Sequence, residues 1–236
     1  MTTTKPTALT IEWLDLTRRQ LILSSPFYVL VPLLFFVAFM AMGHTPSWLM
    51  MGAGALGWIV AAMLRGPVAV VAQKLTGSPE KATPWVIASS GPLEEGLRVL
   101  AVLWLGRDLP TALAIGLGWG AIESIFAVVN SLVGNAMLRS DDPKVVEARE
   151  MLAHLMNTEN GPWWGVLERV SATAYHTGKT LIVAVVPWAV LIAAPIHSAV
   201  NMTSVRLAKR SALQMEAFVA VVGALALGLG FFLFLA

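Results

Sequence analysis

Long apolar segments constrain the fold of this chain more than any other feature of its sequence. A helix that crosses the hydrocarbon core of a bilayer needs about 20 mostly apolar residues. Residues 26–43, PFYVLVPLLFFVAFMAMG, form the first of several such stretches and contain no charged side chain. Only 13% of the residues are charged and 57% are hydrophobic, whereas about 25% of the residues of a soluble domain are charged. We therefore expect an all-α membrane protein.

The hydropathy pattern predicts a polytopic transmembrane helix bundle with about seven spans. The predicted spans are 26–43, 47–72, 84–105, 111–138, 163–194, 195–208 and 213–235. Residues 1–25 are expected to form a cytoplasmic lead-in with an interfacial helix, with no removable signal peptide, and 26–236 a single bundle. The fifth span is long, so we expect a tilt, a kink near Gly178 or Pro187, or an extension into water.

The basic residues predict the orientation of the bundle. Cytoplasmic loops of membrane proteins carry the excess of Lys and Arg. The basic residues of alternate loops are Arg18, Arg19, Lys74, Lys81, Arg139, Lys144, Arg149, Arg206, Lys209 and Arg210. We therefore predict a multi-pass protein in contact with membrane lipid, with a cytoplasmic N-terminus. The net charge of +2 is too small to indicate a nucleic-acid partner.

Polar side chains interrupt four consecutive predicted spans. A charged residue at the centre of a span costs about 2.5–3.5 kcal/mol to insert. Spans three to six nevertheless contain Glu94, Glu95, Arg98, Glu123, Glu168, Arg169, His176, His197 and Asn201. Ionisable residues inside a membrane mark functional sites by default. We therefore expect these residues to form a buried polar site.

The third span contains two adjacent carboxylates in the segment GPLEEGLRVL, residues 91–100. Arg98 follows Glu94 by four residues and Glu95 by three, so it is within reach of both. One arginine neutralises one carboxylate, so the second glutamate remains available for a role in the site. Pro92 is expected to loosen the helix and leave backbone groups for water or substrate. An internal ion pair that only offsets its own burial is the alternative interpretation.

Helix contacts are predicted for the fourth span, where GLGWGAIESI (116–125) contains Gly116 and Gly120. Small residues four apart allow another helix to approach closely, and Glu123 is expected to point along that contact. In the sixth span, PIHSAVNMTS (195–204) places His197 and Asn201 on one face. This pair suits oxyanion stabilisation or water positioning, and interhelical hydrogen bonding is the alternative.

Two carboxylates and two imidazoles in a partly dry cavity suit the activation of water. The same side-chain types bind zinc, and the candidate ligands are Glu94, Glu123, His176 and His197. The HExxH motif of zinc proteases is absent, and the chain has no cysteine. Zinc is therefore left open as a cofactor.

Four segments in order resemble the YhfC family of bacterial membrane proteins. They are GPLEEGLR, GLGWGAIES, LERVSATAYHTGKTLIV and PIHSAVN, within about residues 84–204. That family is classed as glutamic-type intramembrane peptidases and is more remotely similar to the CAAX prenyl endopeptidase and bacteriocin-processing family and to the PrsW proteases. The resemblance implies hydrolysis of a membrane-associated peptide or protein substrate at the inner (cytoplasmic) membrane.

The resemblance also implies roles for single residues. Glu94 matches the general base of the double-Glu motif, and Glu95 and Arg98 match its supporting pair. His197 and Asn201 match the final His-x-x-x-Asn motif, which is expected to stabilise the oxyanion. Whether Glu94 or Glu95 is the base stays open at this point.

The sequence departs from the CAAX enzymes at two positions. Arg98 follows Glu95 by three residues instead of four, as in YhfC- and PrsW-like chains. The second block has Glu123 where the CAAX enzymes have a histidine, while His176 matches the histidine of the third block in YhfC-like chains. Either Glu123 or His176 is therefore expected to assist Glu94, and prenylated substrates are not implied.

Two other classes of function fit the same residues. Chains of Glu and His inside a membrane also serve as proton relays, which would make the protein a proton-coupled transporter. No internal repeat is apparent, although many transporters are built from repeats. The remaining class is a non-enzymatic, immunity-type membrane protein whose polar residues bind a peptide without cutting it.

Overall fold

The computed structural model describes residues 10–147, 149 and 162–236, and within them all regular structure is helical. The long helices are α1 (Ile11–Ala41), α2 (Trp48–Thr76), α3 (Pro79–Leu105), α4 (Leu109–Met137), α5 (Pro162–Val185), α6 (Val190–Ala208) and α7 (Ala212–Leu235). One turn of 3-10 helix, Pro187–Ala189, joins α5 to α6. The predicted all-α bundle is confirmed. Residues 1–9 of the predicted lead-in lie outside the described residues.

Five helices in the described part of the chain are long and apolar enough to cross a membrane. They are α1, α2, α4, α7 and the unit Pro187–Ala208, which contains α6. The other two helices, α3 and α5, are also long, with 27 and 24 residues, but carry more charged side chains. The architecture is compatible with a multi-pass membrane protein, and α3 and α5 bring most of the buried charge into it.

The first helix is longer than the first predicted span, because Pro26 does not interrupt it. Proline has no N–H to donate to the carbonyl group four residues earlier, which is that of Ile22. Ser25 Oγ donates to this carbonyl oxygen at 2.9 Å instead. Residues 11–24 and the span from 26 onward therefore form one helix, α1.

The fifth predicted span is divided near Pro187, one of the two expected positions. Helix α5 ends at Val185, while Gly178 lies inside it. Arg107 caps this end by donating from Nε to the carbonyl of Ala184 at 2.6 Å and from Nη2 to that of Val185 at 2.8 Å. The last carbonyls of a helix need such external donors. The predicted boundary at 194/195 is absent, because α6 begins at Val190 and contains Pro195.

Glycines on α4 bring α5 very close, as their spacing predicts. A methyl group added at Gly116 would lie 2.6 Å from Thr177 Cα, and one at Gly120 would lie 2.9 Å from Thr173 Cα. Real Cβ atoms do not approach a neighbouring backbone this closely, so only glycine fits. The same contact places Glu123 of α4 against α5.

Pro92 and the glycine before it are the points at which α6 packs on α3. A Cβ atom at Gly91 would collide with the backbone of Ala194. Pro92 leaves the carbonyl of Ala88 without its helical donor, and Ser198 Oγ of α6 donates to that oxygen at 2.6 Å. The expectation that Pro92 leaves this group for water or substrate is therefore wrong, because a neighbouring helix pairs with it.

Candidate functional site in the bundle interior

A cavity of about 290 Å³ lies between α2, α3, α4, α5, α6 and α7. Its polar lining consists of Arg65, Ser90, Glu94, Glu123, Glu168, Ser171, Tyr175, His176, His197, Asn201 and Ser204. Five of the seven site residues predicted from the sequence are in this lining. The other two, Glu95 and Arg98, have no solvent exposure and are not part of it.

Glu94 is the carboxylate that faces both the cavity and the two imidazoles. Its Oε2 accepts a hydrogen bond from Trp119 Nε1 at 3.0 Å and lies 4.0 Å from His176 Nδ1. Its Oε1 lies 3.7 Å from His197 Nε2 and pairs with Arg65 of α2. Glu94 is 2% exposed, whereas the side chain of Arg65 is 28% exposed. The cation opposite Glu94 therefore sits nearer to the opening of the cavity.

Glu95 is held by two buried cations. Arg98 Nε donates to its Oε2 at 2.9 Å, and Lys179 Nζ of α5 donates to its Oε1 at 2.5 Å. Arg98 was within reach of either glutamate by spacing, and the structure pairs it with Glu95. Because Glu95 is enclosed and doubly paired, it is a poor candidate for a group that takes up a proton from substrate water.

Arg98 determines the protonation state of His176. Its Nη2 lies 3.0 Å from His176 Nδ1, and arginine has donors but no acceptor. His176 Nδ1 therefore accepts, which leaves the imidazole proton on Nε2 of a neutral ring. That Nε2 lies 2.5 Å from Glu123 Oε2. Arg98 Nη1 also donates to Thr180 Oγ1 at 2.6 Å, so the guanidinium group fixes the ring and its helix together.

Glu123 connects His176 to a second arginine. Arg169 Nη1 donates to Glu123 Oε1 at 3.1 Å, and Arg169 Nη2 lies 2.5 Å from Glu168 Oε1. Glu168 and Arg169 precede His176 by about two helical turns, so Glu123 bridges the distance between them. Glu123 therefore has an orienting position, with His176 between it and Glu94.

His197 and Asn201 share one face of α6, as their spacing predicts. His197 Nδ1 lies 2.7 Å from Glu95 Oε1 and 2.8 Å from Lys179 Nζ. The other ring nitrogen of His197, Nε2, faces Glu94 Oε1. Asn201 Nδ2 donates to Ser90 Oγ of α3 at 2.8 Å, so one of its amide hydrogens is already used for an interhelical contact.

The four zinc candidates Glu94, Glu123, His176 and His197 do not form a ready ligand set. Within residues 10–147, 149 and 162–236, no group of three or more His, Asp or Glu side chains is placed to hold a metal ion. The two Nδ1 atoms already have partners, and His176 Nε2 contacts Glu123. These contacts occupy ring nitrogens that a metal would need.

Several residues that contact the predicted site residues were not among the candidates taken from the sequence. Arg65 is the one charged residue in the predicted span 47–72. Its cost of insertion into a membrane could therefore have marked it as a site residue. Lys179 lies three residues after His176 and had no assigned role. Trp119 and Tyr175 are aromatic residues in apolar helices, and nothing in a single sequence separates them from ordinary packing residues.

Comparison of the chain with protein-family models, with curated proteins and with solved structures finds no match. The class that the coordinates define is a helical bundle, compatible with a multi-pass membrane protein, around a cavity lined by carboxylates and imidazoles.

Proposed function

We propose that the protein is an intramembrane peptidase that hydrolyses peptide bonds of membrane-associated substrates with water activated by Glu94. The position of Glu94 is the observation that carries this proposal. Its carboxylate lines the cavity, 4.0 Å from His176 and 3.7 Å from His197. A carboxylate beside imidazole groups and a cavity can supply general acid–base catalysis of hydrolysis by water. The resemblance of four sequence blocks to YhfC-like chains supports the same chemistry.

In this proposal all seven long helices cross the membrane, with the N-terminus in the cytoplasm. Lys74, Arg139 and Arg206 then lie on the cytoplasmic side, as the distribution of basic residues favours. The cavity lining extends toward that side, because it includes Glu168 near the start of α5 and Ser204 near the end of α6. Substrates would therefore reach the cavity from the cytoplasmic half of the bilayer.

The reaction is a hydrolysis whose proton passes through Glu94. Glu94 takes one proton from water as the water oxygen bonds to the scissile carbonyl carbon, and the π electrons of the carbonyl move to its oxygen. The proton then passes to the amide nitrogen as the C–N bond breaks, which yields a carboxylic acid and an amine. Of the two candidate assistants, Glu123 and His176, His176 lies nearer to Glu94, and Glu123 contacts the other nitrogen of its ring. His197 Nε2 lies closer still to Glu94, at 3.7 Å. Glu94 acts in preference to Glu95, because Arg98 and Lys179 hold Glu95 outside the cavity.

A proton-coupled transporter is the second candidate, because the cluster forms a ladder of proton-binding groups. The ladder runs from Glu123 to His176, Glu94, His197 and Glu95, with separations of 2.5, 4.0, 3.7 and 2.7 Å. From Glu95 it continues only to Lys179 and Arg98 among the described residues, and all three side chains are buried. A relay that ends inside the bundle supplies no exit on the other side, so this geometry favours hydrolysis over transport.

Terminal proteomics tests the peptidase proposal without a known substrate. Membranes of cells that express the wild type, Glu94→Gln or Glu80→Gln would be compared for new protein N-termini. Glu80 is a matched control, since it is an exposed glutamate in the first turn of the same helix. We expect new N-termini with the wild type and Glu80→Gln and their loss with Glu94→Gln at equal expression.

Three outcomes would overturn the peptidase proposal. If Glu94→Gln retains every new terminus, Glu94 is not the base. If no variant generates termini but the wild type acidifies proteoliposomes under a proton gradient, the transporter is correct. Capture of an intact peptide by both the wild type and Glu94→Gln, without cleavage, would indicate a peptide-binding protein.

A further inference from the structure

Tyr175 is a cavity-lining residue to which the resemblance to YhfC-like chains gives no role. It precedes His176 on α5, and only 8% of its surface is exposed. Its hydroxyl group is buried and has no hydrogen-bond partner in the described part of the chain. Buried hydroxyl groups are normally paired. An unpaired donor beside a cavity indicates that its partner is supplied by the molecule that enters the cavity.

The ring of Tyr175 is held independently of its hydroxyl group. Lys179 Nζ lies 4.1 Å from the ring centroid, and the ring meets that of His197 edge-on at 5.8 Å. These contacts involve the aromatic face and edge and would also be made by phenylalanine. The hydroxyl group is therefore not needed to position the ring, and its function can be tested separately.

Three other donors near Tyr175 already have acceptors inside the protein, although Ser204 Oγ in the cavity lining is also unpaired among the described residues. Asn201 Nδ2 donates to Ser90 Oγ, and Trp119 Nε1 donates to Glu94. Lys179 Nζ contacts both Glu95 and His197. By contrast, the hydroxyl group of Tyr175 is uncommitted. Tyrosine hydroxyl groups are among the donors that stabilise tetrahedral oxyanions in acyl transfer.

We propose that the Tyr175 hydroxyl donates a hydrogen bond to the oxyanion formed when water adds to the scissile carbonyl. The inference rests on the proposed peptidase function and adds a catalytic residue to it. The negative charge that develops on the carbonyl oxygen is stabilised by the hydroxyl hydrogen, which stays on Tyr175 throughout. When the carbonyl re-forms and the C–N bond breaks, the hydrogen bond weakens and the product leaves. Asn201 then has an interhelical role through Ser90.

The test compares the two tyrosines of the chain in purified enzyme. Tyr28 lies on α1, outside the cavity lining, so Tyr28→Phe is the matched control for Tyr175→Phe. The substrate is a peptide that spans a cleavage site found by terminal proteomics. Loss of one oxyanion donor lowers kcat by about 10²–10³-fold. We expect that loss in Tyr175→Phe with KM nearly unchanged, since the contact forms only in the transition state.

The outcomes separate this inference from the peptidase proposal. If Glu94→Gln is inactive but Tyr175→Phe keeps the wild-type kcat, the tyrosine assignment is wrong and the peptidase proposal stands. If Tyr175→Phe raises KM alone, the hydroxyl group binds the ground state and the assignment also fails. If the wild type cleaves nothing, both proposals fail together.

A second variant covers the case in which Tyr175→Phe does not fold. Fluorotyrosine at position 175 keeps the ring and the hydroxyl group but makes the hydroxyl more acidic. If the Tyr175 hydroxyl group donates to the oxyanion, this substitution should change kcat and leave the melting temperature the same. An unchanged kcat would overturn the assignment.

Discussion

Ser198 Oγ donates a hydrogen bond to the carbonyl oxygen of Ala88 at 2.6 Å. This is the carbonyl that Pro92 deprives of its helical partner. The bond joins α6 to α3 next to His197, which lines the cavity together with Glu94 of α3. A proline on one helix and a serine on another thus determine where two of the ionisable segments meet.

We predict that Ser198→Ala destabilises the protein because it leaves the partly buried carbonyl of Ala88 without a donor. Such a loss costs about 1–3 kcal/mol and would be measured as thermal unfolding in detergent. Ser89→Ala is the control, since Ser89 Oγ bonds only to Val86 of its own helix. In a Pro92→Ala background the restored N–H pairs with Ala88, so Ser198→Ala should cost less there. An equal cost in both backgrounds would contradict the pairing.

Gly120→Ala should destabilise the contact between α4 and α5. Its Cβ would lie 2.9 Å from Thr173 Cα, and forced overpacking costs about 1–3 kcal/mol. Gly134→Ala on the same helix is the matched control, because a Cβ there meets nothing within 4 Å. We expect a lower melting temperature and slower cleavage for Gly120→Ala only, since α5 carries His176. Equal melting temperatures would show that the helices have room to separate.

Lys179→Met should destabilise the protein. Lys179 is 4% exposed, and its ammonium group lies 2.5 Å from Glu95 and 2.8 Å from His197. Removal of one partner from a buried ion pair costs about 3–5 kcal/mol when the remaining charge is left unpaired. We expect a smaller loss here, because Arg98 still pairs with Glu95. Lys81→Met on the exposed start of α3 is the control. Adding Glu95→Gln should increase the loss, because Arg98 would then be a buried cation without its carboxylate, and a restored melting temperature would contradict the shared pairing of Glu95.

The absence of cysteine makes the chain suitable for labelling with single introduced cysteines. Ser140→Cys and Ser204→Cys should react with an impermeant maleimide from the cytoplasmic face, because the first follows α4 and the second lines the cavity. Thr45→Cys, between α1 and α2, should react from the opposite face. Labelling of inverted and right-side-out vesicles would show the membrane face from which each cysteine reacts. Reaction of Ser204→Cys from the same face as Thr45→Cys would reverse the proposed opening of the cavity.

The helical class and the residues of the candidate site follow from local properties of the sequence. Apolar length predicts the helices, and the glycine spacing of α4 predicts its close contact with α5. The insertion cost of ionisable side chains singles out Glu94, His176 and His197. Each of these signals is contained within one helix, so it can be read without knowledge of the neighbouring helices.

The partners of those residues are decided only by the tertiary structure. Arg98 pairs with Glu95, while Arg65, 29 positions away, pairs with Glu94. Asn201 bonds to Ser90, which lies 111 positions earlier. These choices depend on how each helix is rotated and how deeply it packs, and both follow from the sum of many contacts along the bundle. Spacing along a single helix contains no information about that rotation. It therefore could not decide which of the two glutamates pairs with Arg98.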